Sequence, residues 1–459
     1  MYQINFKQPI HVHFIGIGGI SMSGLAEVLL SEQFAVSGSD SKQSPLTLRL
    51  EEMGANISYQ QVPSNITDDI DVVVFTAAVK EDNPELMEVR RKEIPLLTRA
   101  EFLGQLMTNY DYPIAVSGTH GKTTTTSMIS HILLEGDRNP TISVGGILNS
   151  IGGNIRIGSS EIFLTEACEY TNSFLDFFPK IGVILNIEEE HMDFFKDIDE
   201  IRNSYHKFAT LLPSDGILII NADIEHYERI TQHLDCRVVT YGLKQDCNYG
   251  ASNLTFDAKG HVSFDLHKDG SFLERVSLSV TGEHNASNSL AAIALGVEFD
   301  IALEDIKKGL SSFHGTKRRF EHKGVSNGFT IVDDYAHHPT EIAATLTAAR
   351  HHPHQEIWAV FQPHTYTRTK AFWNDFKKAL ALADHIILAD IYAARETDTL
   401  LVSSERMAAE LKDSGSDAYY FPSFREIENF LKKNCKKGDL LITMGAGDVG
   451  TIGESLLQS

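Results

Sequence analysis

Cysteine is scarce in this chain. Its 459 residues include four cysteines, Cys168, Cys236, Cys247 and Cys435, which are scattered and form no C-x-x-C pair. Such spacing excludes a disulfide framework of the kind that holds small secreted domains together, and it gives no cysteine-based zinc site. We therefore expect reduced thiols, as in a protein of the cytoplasm.

Long hydrophobic runs are also missing. No apolar segment approaches the roughly 20 residues that a membrane-spanning helix needs. The N-terminal segment MYQINFKQPI lacks the charged and then apolar regions of a secretory signal. These absences predict a soluble, cytoplasmic protein without a membrane partner.

Basic residues are fewer than acidic residues in this chain. The chain has 40 lysines and arginines against 62 aspartates and glutamates, which gives a formal net charge of -22 at pH 7. A chain this acidic lacks the basic surface that binds nucleic acid or an anionic membrane, so we expect neither as a partner. Phosphate groups can still be bound locally, by backbone N–H groups and a few well-placed cations.

A glycine-rich turn follows the first predicted strand, in HVHFIGIGGISMSGLAEVLL. Gly16, Gly18 and Gly19 allow a tight turn, and the following helix directs its N-terminal N–H groups at a phosphate. Asp40 ends the second predicted strand, where an acidic side chain can accept a hydrogen bond from a ribose hydroxyl. Ser21 stands where the dinucleotide fingerprint has its third glycine. The pattern therefore fits a nucleotide diphosphate, with an NAD enzyme or a turn without ligand as the alternatives.

A second phosphate-binding pattern lies in YPIAVSGTHGKTTTT, which predicts a strand, a loop and a helix. The loop is a shortened Walker motif, because Val116 stands where the longer motif has its first glycine. Backbone N–H groups can wrap the phosphates, while Lys122 neutralises the β and γ oxygens and the Thr123 hydroxyl binds Mg²⁺. A chance Gly-Lys-Thr sequence at a helix start is the alternative. The predicted ATP-binding residues of the loop are Gly118, Thr119, His120, Gly121, Lys122, Thr123 and Thr124.

Two acidic segments follow buried strands further along the chain. Glu166 ends the apolar strand of IFLTEACEY, and Glu169 follows as a second carboxylate. The apolar segment 181–187 predicts another strand, and His191 comes after it. Because the carboxyl ends of parallel strands face the ligand crevice, Glu166 is a candidate Mg²⁺ ligand and His191 a candidate metal ligand or general base. The alternative is that His191 lies in a solvent-exposed acidic loop and has no function.

Two polar segments are candidates for contact with a nucleotide. In TGEHNASNSLAA, Asn285 and Asn288 lie on the first turns of a predicted helix, where asparagine amides can pair with an adenine edge. Capping of that helix by Asn285 is the alternative. In GTKRRFE, Arg318 and Arg319 offer planar guanidinium groups that suit phosphate oxygens, and an exposed basic turn is the alternative.

The last third of the chain carries histidines near predicted strand ends. In DDYAHHPTE a strand ends at Asp334, and Pro339 suits the first position of a helix. The motif QPHTYTR follows the next strand. Two histidines and an arginine suit a small molecule that carries a carboxylate, whereas a zinc site lacks the H-x-x-x-H helix spacing. The side chains predicted to line this site are Tyr335, His337, His364 and Arg368.

Alternating strands and helices predict an α/β protein with parallel sheets. At about 150 residues per domain, a chain of this length forms roughly three domains. We place them at residues 1–110, 111–322 and 323–459, because NYDYP and the polar, glycine-containing EHKGVSNGF indicate boundaries. The first and third domains are predicted to be Rossmann-like, and the central one to be a P-loop ATPase domain.

Taken in order, these motifs resemble the Mur ligase family over essentially the whole chain. The resemblance is carried by GIGGISMSGLA, SGTHGKTTTT, EACEY, NIEEEHMDFF, GEHNASNSLAA, RRFE, DDYAHHPTE, QPHTYTR and GAGD. It implies a ligase that joins an amino acid, here L-alanine, to the lactyl carboxylate of UDP-N-acetylmuramic acid while ATP is hydrolysed to ADP and phosphate. This is an early cytoplasmic step of peptidoglycan synthesis. We expect a monomer or weak homodimer.

The resemblance also assigns residues to each substrate. Thr123 and Glu166 would bind one Mg²⁺ and His191 a second. The implied catalytic residues are Lys122, Glu166, His191 and His337. The implied UDP-sugar site comprises Gly16, Gly18, Gly19, Ser21, Met22, Ser23, Gly24 and Asp40. Asn285 and Asn288 would meet adenine, Arg319 and Asp334 would contact the nucleotide, and Tyr335, His337, His364 and Arg368 would frame L-alanine.

One position departs from the family pattern. Many relatives have arginine after the histidine of QPH, where this chain has Thr365. Arg368 is then the main candidate for binding the alanine carboxylate. The proton of the alanine amine goes to His191 or His337, and the sequence leaves both open.

Two other functions stay open from the sequence. A tripeptide ligase of cell-wall recycling would share the first two domains and differ in the third, where QPHTYTR resembles the alanine-adding members of the family. A non-catalytic regulator would bind both nucleotides without forming product. The intact set of predicted catalytic residues argues against a regulator.

Overall fold

The structure is a computed structural model that describes residues 3–76, 78–148, 151–192, 194–244, 246–394, 396–397 and 402–458. The chain divides into two units. The first unit consists of Met1–Tyr241 and Ala291–Ile306, and the second consists of Gly242–Leu290 and Lys307–Ser459. Two helices, α8 (Glu283–Glu298) and α9 (Leu303–Ser312), give residues to both units.

The first unit begins with a five-stranded parallel sheet. Its strands are β1 (His11–Ile15), β2 (Ala35–Ser39), β3 (Asn56–Ser58), β4 (Val72–Phe75) and β5 (Leu96–Thr98), in the spatial order β3-β2-β1-β4-β5. Its helices are α1 (Ile20–Ser31), α2 (Pro45–Glu52), α3 (Pro84–Arg91) and α4 (Arg99–Met107). The strand order reverses between β1 and β4, and such a reversal leaves a ligand crevice at the carboxyl ends. This confirms the prediction of a Rossmann-like N-terminal sheet.

Helix starts in this sheet follow local sequence signals. Asn83 caps α3 by accepting the N–H groups of the first turn, and Pro84 occupies the first helical position. Thr98 and Glu101 form a capping box at the start of α4. These caps fix the direction in which each helix leaves the carboxyl edge of the sheet.

A second sheet in the first unit carries the phosphate-loop motif. Its strands are β6 (Tyr112–Ser117), β7 (Thr141–Leu148), β8 (Gly153–Arg156), β9 (Ile162–Glu166), β10 (Ile181–Ile184), β11 (Ile217–Asn221) and β12 (Arg237–Gly242), in the order β12-β11-β10-β6-β9-β7-β8. β8 is antiparallel to β7, and the pairs that join β6 to β9 and β10 are parallel. Its helices are α5 (Lys122–Glu135), α6 (Ile198–Ala209) and α7 (Glu228–Thr231). The position of β6 between β9 and β10 brings their carboxyl ends together.

The predicted strand over residues 181–187 is too long. Strand β10 ends at Ile184. Leu185 still donates its backbone N–H to Ser117, but Asn186 leaves the sheet and turns its side chain to the backbone of the phosphate loop. The apolar pattern continues past the strand because Leu185 remains buried after the pairing ends.

The second unit contains three consecutive antiparallel strands that the sequence pattern did not predict. They are β13 (Tyr249–Phe256), β14 (His261–Lys268) and β15 (Ser271–Thr281). The turn between β14 and β15 consists of Asp269 and Gly270, both with positive φ. Asp-Gly is a favoured sequence for a two-residue hairpin turn, so a local signal was present.

The remainder of the second unit is a six-stranded sheet with both faces covered. Its strands are β16 (Glu321–Ser326), β17 (Phe329–Asp334), β18 (Ile357–Phe361), β19 (His385–Leu388), β20 (Asp417–Tyr420) and β21 (Leu440–Met444), in the order β16-β17-β21-β18-β19-β20. Its helices are α10 (Pro339–Arg350), α11 (Tyr366–Ala371), α12 (Trp373–Leu380), α13 (Ser404–Asp413), α14 (Phe424–Asn434) and α15 (Gly450–Leu457). Neighbouring residues of β18 belong to different cores: Ala359 lies in one apolar cluster and Val360 in another. Burial on both faces is the pattern of a doubly wound sheet, as predicted.

The polar segment at the predicted boundary near residue 323 is not an irregular linker. Residues Glu321–Ser326 form β16, which pairs antiparallel with β17. Asn327 and Gly328, both with positive φ, make the two-residue turn between the strands. Gly328, one of the glycines that suggested a domain boundary, is therefore part of an Asn-Gly hairpin turn.

Within the residues that the structure describes, no helix is both long enough and apolar enough to cross a membrane.

At the amino-terminal edge of the six-stranded sheet, His385 joins three parallel strands. Its Nδ1 lies 2.5 Å from an Asp417 carboxylate oxygen and its Nε2 lies 3.0 Å from Glu356, while its ring stacks on Trp358 at 3.8 Å. Burial alone would lower the pKa of His385, but the hydrogen bonds that its ring donates to the two carboxylates outweigh burial and raise the pKa. The charged imidazolium therefore stabilises this edge of the sheet.

This arrangement predicts a pH-dependent stability. Because the folded pKa of His385 is raised, its contribution is complete below the pKa of an unfolded histidine and is lost as the pH rises through the folded pKa. The two carboxylates are about half exposed, so the effect should be about 1 kcal/mol or less. We expect H385Q to destabilise the protein more at pH 6 than at pH 9, as measured by chemical unfolding. An equal loss at both pH values would contradict the ion pair.

Candidate active site

The glycine-rich turn after β1 is closed by Asp40. The Asp40 carboxylate accepts the backbone N–H of Gly18 at 2.8 Å, and Gly16 donates its N–H to the carbonyl of Ser39 at 2.8 Å. A Cβ atom on Gly18 would lie 2.8 Å from the same carboxylate, so a side chain there would displace Asp40 from this hydrogen bond. Asp40 and the glycines predicted for the UDP-sugar are therefore brought together, and Asp40 also holds the turn in shape.

The next predicted UDP-sugar residues lie on the first turns of α1. Ser21 is half-buried, whereas Met22 and Ser23 are buried. Gly24 faces β8, because a Cβ atom there would lie 3.2 Å from Ile155. The backbone N–H groups of these residues, at the N-terminus of the helix, are available to a ligand. The side chains of Met22 and Ser23 are buried and pack within the protein.

The phosphate loop has the predicted order of strand, loop and helix. It runs from the end of β6 at Ser117 to Gly121, which precedes α5. Gly118 has a φ of +145°, and a Cβ atom there would lie 2.9 Å from Leu185. Thr123 and Thr124 follow in the first turn of α5, half-buried at the N-terminus where phosphate groups bind.

Asn186, which the sequence analysis did not single out, holds the phosphate loop from the neighbouring strand. Its side chain accepts the N–H of His120 at 2.7 Å and donates to the carbonyl of the same residue at 3.0 Å. Its own carbonyl accepts the N–H of Thr119 at 3.1 Å. Glu188 adds a further bond by donating its N–H to the Thr119 hydroxyl at 3.0 Å. The only sequence signal for Asn186 was a polar residue that interrupts the apolar segment 181–187.

We expect N186A to weaken ATP binding by about tenfold, because two backbone groups of His120 lose their partner and the loop loses its fixed shape. The affinity for ATP, measured by titration calorimetry, tests this. N203A, at an exposed position on α6, is the matched control and should bind ATP as the wild type does. Unchanged affinity in N186A would contradict the support role.

Lys122 is turned back onto its own loop. Its Nζ donates to the carbonyl oxygens of Gly118 at 2.5 Å and Thr119 at 3.1 Å, and it pairs with Glu169 at 3.0 Å. Burial alone would lower the pKa of Lys122, but the carboxylate of Glu169 outweighs it, so the pKa is raised and the lysine stays charged. Glu169 is only 2% exposed, which strengthens the pair.

Glu169 also reaches the predicted metal ligand His191. The Nε2 of His191 lies 3.6 Å from a Glu169 carboxylate oxygen, and its ring stacks on Tyr170 at 4.5 Å. The backbone of His191 has a φ of +56°, which is uncommon for a residue other than glycine and is often found at functional positions. Lys122, Glu169 and His191 thus form one chain of contacting polar groups beside the phosphate loop.

Glu166 and Thr123 meet at the carboxyl end of β9. The Thr123 hydroxyl donates to a Glu166 carboxylate oxygen at 3.1 Å, and the backbone N–H of Gly145 donates to the other at 2.6 Å. A hydroxyl and a carboxylate side by side at a phosphate loop are oxygen donors of the kind that Mg²⁺ prefers. The structure therefore brings together the two residues predicted for the first Mg²⁺.

The predicted adenine contacts lie at the start of α8, in the second unit. The helix begins at Glu283, so Asn285 is inside its first turn and does not occupy the capping position. Asn285 donates to the carbonyl of Thr281 at 2.7 Å, and Asn288 donates to the Asn285 side chain at 3.1 Å. Asn288 is buried at 7% exposure, so of the two Asn285 is the more open to a ligand.

Asp334 and Arg319 lie close together at the end of β17. The Asp334 carboxylate accepts the N–H groups of Phe320 and Ala336, both at 2.8 Å. Burial raises the pKa of Asp334 to about 6, against an opposite effect of Arg319. Arg319 lies over the ring of Tyr335 at 5.4 Å and within 3.7 Å of Glu341. Asp334 therefore shapes the turn that presents Arg319 and Tyr335.

The four side chains predicted to frame L-alanine are grouped in the second unit. The ring of His337 lies 5.3 Å from that of Tyr335 and 6.1 Å from that of His364. The guanidinium of Arg368 lies 3.1 Å from Nδ1 of His364. Tyr392, which the sequence did not indicate, stacks on the other face of the group, 5.6 Å from His364. As predicted, Pro339 begins α10 beside them.

Three family models match consecutive parts of the chain. The model described as Mur ligase family, catalytic domain, matches residues 11–111. The Mur ligase middle domain matches residues 116–296, and the Mur ligase, glutamate ligase domain matches residues 318–447.

Similar proteins match over their full length. A UDP-N-acetylmuramate–L-alanine ligase of Lachnoclostridium phytofermentans is 58% identical over 468 residues, and one of Agathobacter rectalis is 57% identical over 458 residues. Both alignments cover 100% of this chain and of the relative. The crystal structure of a UDP-N-acetylmuramate-alanine ligase from Thermotoga maritima has a TM-score of 0.80 at 28% identity, covering 98% of each chain. A murein peptide ligase from Psychrobacter arcticus has a TM-score of 0.69 at 24% identity, also covering 98% of each chain, and this likeness concerns the fold alone.

Proposed function

The chain belongs to the Mur ligase family, and we propose that it joins L-alanine to the lactyl carboxylate of UDP-N-acetylmuramic acid with hydrolysis of ATP. The reaction is an early step of peptidoglycan synthesis. The observation that carries the proposal is the grouping of Lys122, Glu169 and His191 beside the Thr123–Glu166 pair. Phosphoryl transfer needs a cation and metal-binding oxygens around a phosphate loop, and Lys122, Thr123 and Glu166 supply them here. The full-length similarity to alanine-adding ligases supports the choice of substrates.

ATP solves a chemical problem in this reaction. A carboxylate is a poor electrophile, because its negative charge resists attack at carbon. The lactyl carboxylate therefore attacks the γ-phosphorus of ATP, ADP leaves, and an acyl phosphate forms. The deprotonated amine of L-alanine then attacks the acyl carbon, and phosphate leaves from the tetrahedral intermediate. Lys122 exchanges the carbonyl oxygens that it now contacts for the β and γ phosphate oxygens, where it stabilises the transferring group.

The residues at the end of β9 fit a divalent cation. Thr123 and Glu166 present oxygen atoms 3.1 Å apart, and Mg²⁺ prefers hydroxyl and carboxylate oxygens. They would hold one Mg²⁺, and His191 would hold a second. When bound, Mg²⁺ supplies positive charge that offsets the negative charge of the triphosphate.

The amino-acid site is proposed on the second unit. Arg368 binds the carboxylate of L-alanine through its planar guanidinium, and His364 holds Arg368 in place. Tyr335 and His337 line the same site. The proton of the amine goes to His337 or His191, because imidazole is the side chain that most often serves as a general base.

The setting of the reaction is also part of the proposal. The enzyme acts in the cytoplasm as a monomer or weak homodimer, without nucleic acid or membrane as a partner. UDP-N-acetylmuramic acid binds at the glycine-rich turn closed by Asp40, and the triphosphate of ATP binds at the phosphate loop.

The identity of the reaction product tests the function. We expect the full chain, with ATP, Mg²⁺, UDP-N-acetylmuramic acid and L-alanine, to form the amide, seen by mass spectrometry as the sum of both substrates minus one water. The tripeptide L-alanyl-γ-D-glutamyl-diaminopimelate should give no product when it replaces L-alanine. A product formed with the tripeptide alone would make the chain a recycling ligase, and nucleotide binding without any product would favour a regulator.

The proposed acyl-phosphate intermediate leads to a separate prediction. If the lactyl carboxylate attacks the γ-phosphorus, one of its oxygens ends in the released phosphate. UDP-N-acetylmuramic acid labelled with ¹⁸O in that carboxylate should therefore yield phosphate carrying one ¹⁸O atom per turnover. Unlabelled phosphate would contradict the mechanism, even if the amide still forms.

A further inference from the structure

Arg99 is a half-buried cation that the proposed mechanism does not yet use. It is the first residue of α4, directly after the capping residue Thr98. Burial lowers the pKa of its guanidinium, against a smaller opposite effect of the Cys168 thiol. A charge withdrawn from water is stable only where an opposite charge or several hydrogen bonds replace the lost hydration.

The described part of the chain gives Arg99 little compensation. Its guanidinium makes one side-chain hydrogen bond there, a long one of 3.3 Å to the Ser21 hydroxyl, and no carboxylate pairs with it. Glu101 is the nearest acidic residue in sequence, but its carboxylate accepts the backbone N–H of Thr98 at 2.7 Å. The capping box thus holds Glu101 away and leaves the arginine without a counter-charge among the described residues.

The surroundings of Arg99 connect two predicted sites. Ser21 lies on the first turn of α1, next to the glycine-rich turn predicted for the UDP-sugar. The thiol of Cys168 interacts electrostatically with Arg99, with Lys122 and with Glu169. Arg99 therefore contacts the start of α1 beside the glycine-rich turn, and its own helix packs against the segment that follows Glu169, where Gly104 lies against the backbone of Asp176.

We propose that Arg99 binds the lactyl carboxylate of UDP-N-acetylmuramic acid and directs it toward the γ-phosphate of ATP. This inference rests on the proposed function. The lactyl carboxylate is the one substrate group that must extend from the UDP-sugar site to the ATP phosphates, and Arg99 contacts α1 beside the UDP-sugar site. A guanidinium matches a carboxylate with two parallel hydrogen bonds, and its charge reduces the repulsion between the carboxylate and the triphosphate.

Binding of two nucleotide sugars to the full chain tests the contact. UDP-N-acetylmuramic acid carries the lactyl carboxylate, whereas UDP-N-acetylglucosamine has the same diphosphate without it. We expect R99M to weaken the affinity for UDP-N-acetylmuramic acid by about 10- to 100-fold and to change that for UDP-N-acetylglucosamine by less than about twofold. R91M is the matched control, because Arg91 is 68% exposed, pairs with Glu88 on α3, and should leave both affinities unchanged.

Each result decides the assignment. Equal losses for the two nucleotide sugars would place the contact on the diphosphate and overturn the proposal, as would an unchanged affinity for UDP-N-acetylmuramic acid. If R99M does not fold, R99K serves instead: it keeps the charge but not the two-point geometry, and should lose about fivefold for UDP-N-acetylmuramic acid alone. Wild-type protein that fails to bind UDP-N-acetylmuramic acid would contradict the proposed function itself.

Discussion

Lys122→Ala is expected to lower kcat for ligation by at least about 1,000-fold. Lys122 is the cation of the phosphate loop, and its raised pKa keeps it charged at neutral pH. In the transition state its charge faces the oxygens of the phosphoryl group, where water-excluding surroundings make the interaction strong. Alanine removes this stabilisation and also leaves Glu169 without its partner at 3.0 Å. Phosphate release with all substrates saturating measures the loss.

The fold of the Lys122→Ala variant should survive, since the loop is also held by Asn186. Lys180→Ala is the matched control: Lys180 lies in the same unit, pairs with Asp215 at 2.9 Å near the surface, and should keep near-normal activity. Lys122→Met keeps most of the aliphatic part of the side chain but removes the charge. If the charge is what activity requires, this variant should be as inactive as the alanine variant. Near-normal turnover in either Lys122 variant would contradict the assignment of this loop as the ATP-binding site.

Glu166→Ala is expected to lower kcat by about 100- to 1,000-fold and to raise the Mg²⁺ concentration needed for half-maximal activity. The carboxylate supplies an oxygen 3.1 Å from the Thr123 hydroxyl, and it also anchors the backbone of Gly145 at 2.6 Å. Its loss removes a metal-binding oxygen next to the phosphates. Activity measured over a Mg²⁺ titration separates the metal effect from a general loss.

Two variants control for the structural part of this effect. Glu166→Gln keeps an oxygen for the N–H of Gly145 but loses the charge, so it should remain strongly impaired. Glu161→Ala changes an exposed glutamate just before the other end of β9 and should behave as wild type. A Glu166→Ala variant with an unchanged Mg²⁺ requirement would contradict the metal-ligand assignment.

Local patterns in the sequence predicted much of the site. The end of β9 at Glu166, the start of α5 at Lys122 and the start of α10 at Pro339 lie where the sequence indicates them. Each is set by neighbours in the chain: apolar runs form buried strands, and glycine or proline fixes where a helix begins. Fold class could be predicted for the same reason.

Contacts that depend on strand order could not be predicted in this way. Asn186 reaches the phosphate loop because β10 lies beside β6, and Glu169 reaches Lys122 because β9 lies on the other side. A sequence shows the strands but not which of them become neighbours. Arg99 was missed for the same reason, since its surroundings come from α1 and from the segment after β9.

Other misses had a local signal. Asp269–Gly270 and Asn327–Gly328 are two-residue turns of the type that joins antiparallel strands, and both lie between strands in the structure. The surrounding residues are polar, so they lack the apolar runs by which the other strands were predicted. The glycine of such a pair can indicate a tight turn between two strands as well as a domain boundary.

Phosphate release from ATP and Mg²⁺ tests the central claim most directly, with UDP-N-acetylmuramic acid supplied alone, with L-alanine, or with the tripeptide. We expect sustained release that requires both UDP-N-acetylmuramic acid and L-alanine. Release that requires the tripeptide, or no release in any mixture despite binding of ATP, would contradict it.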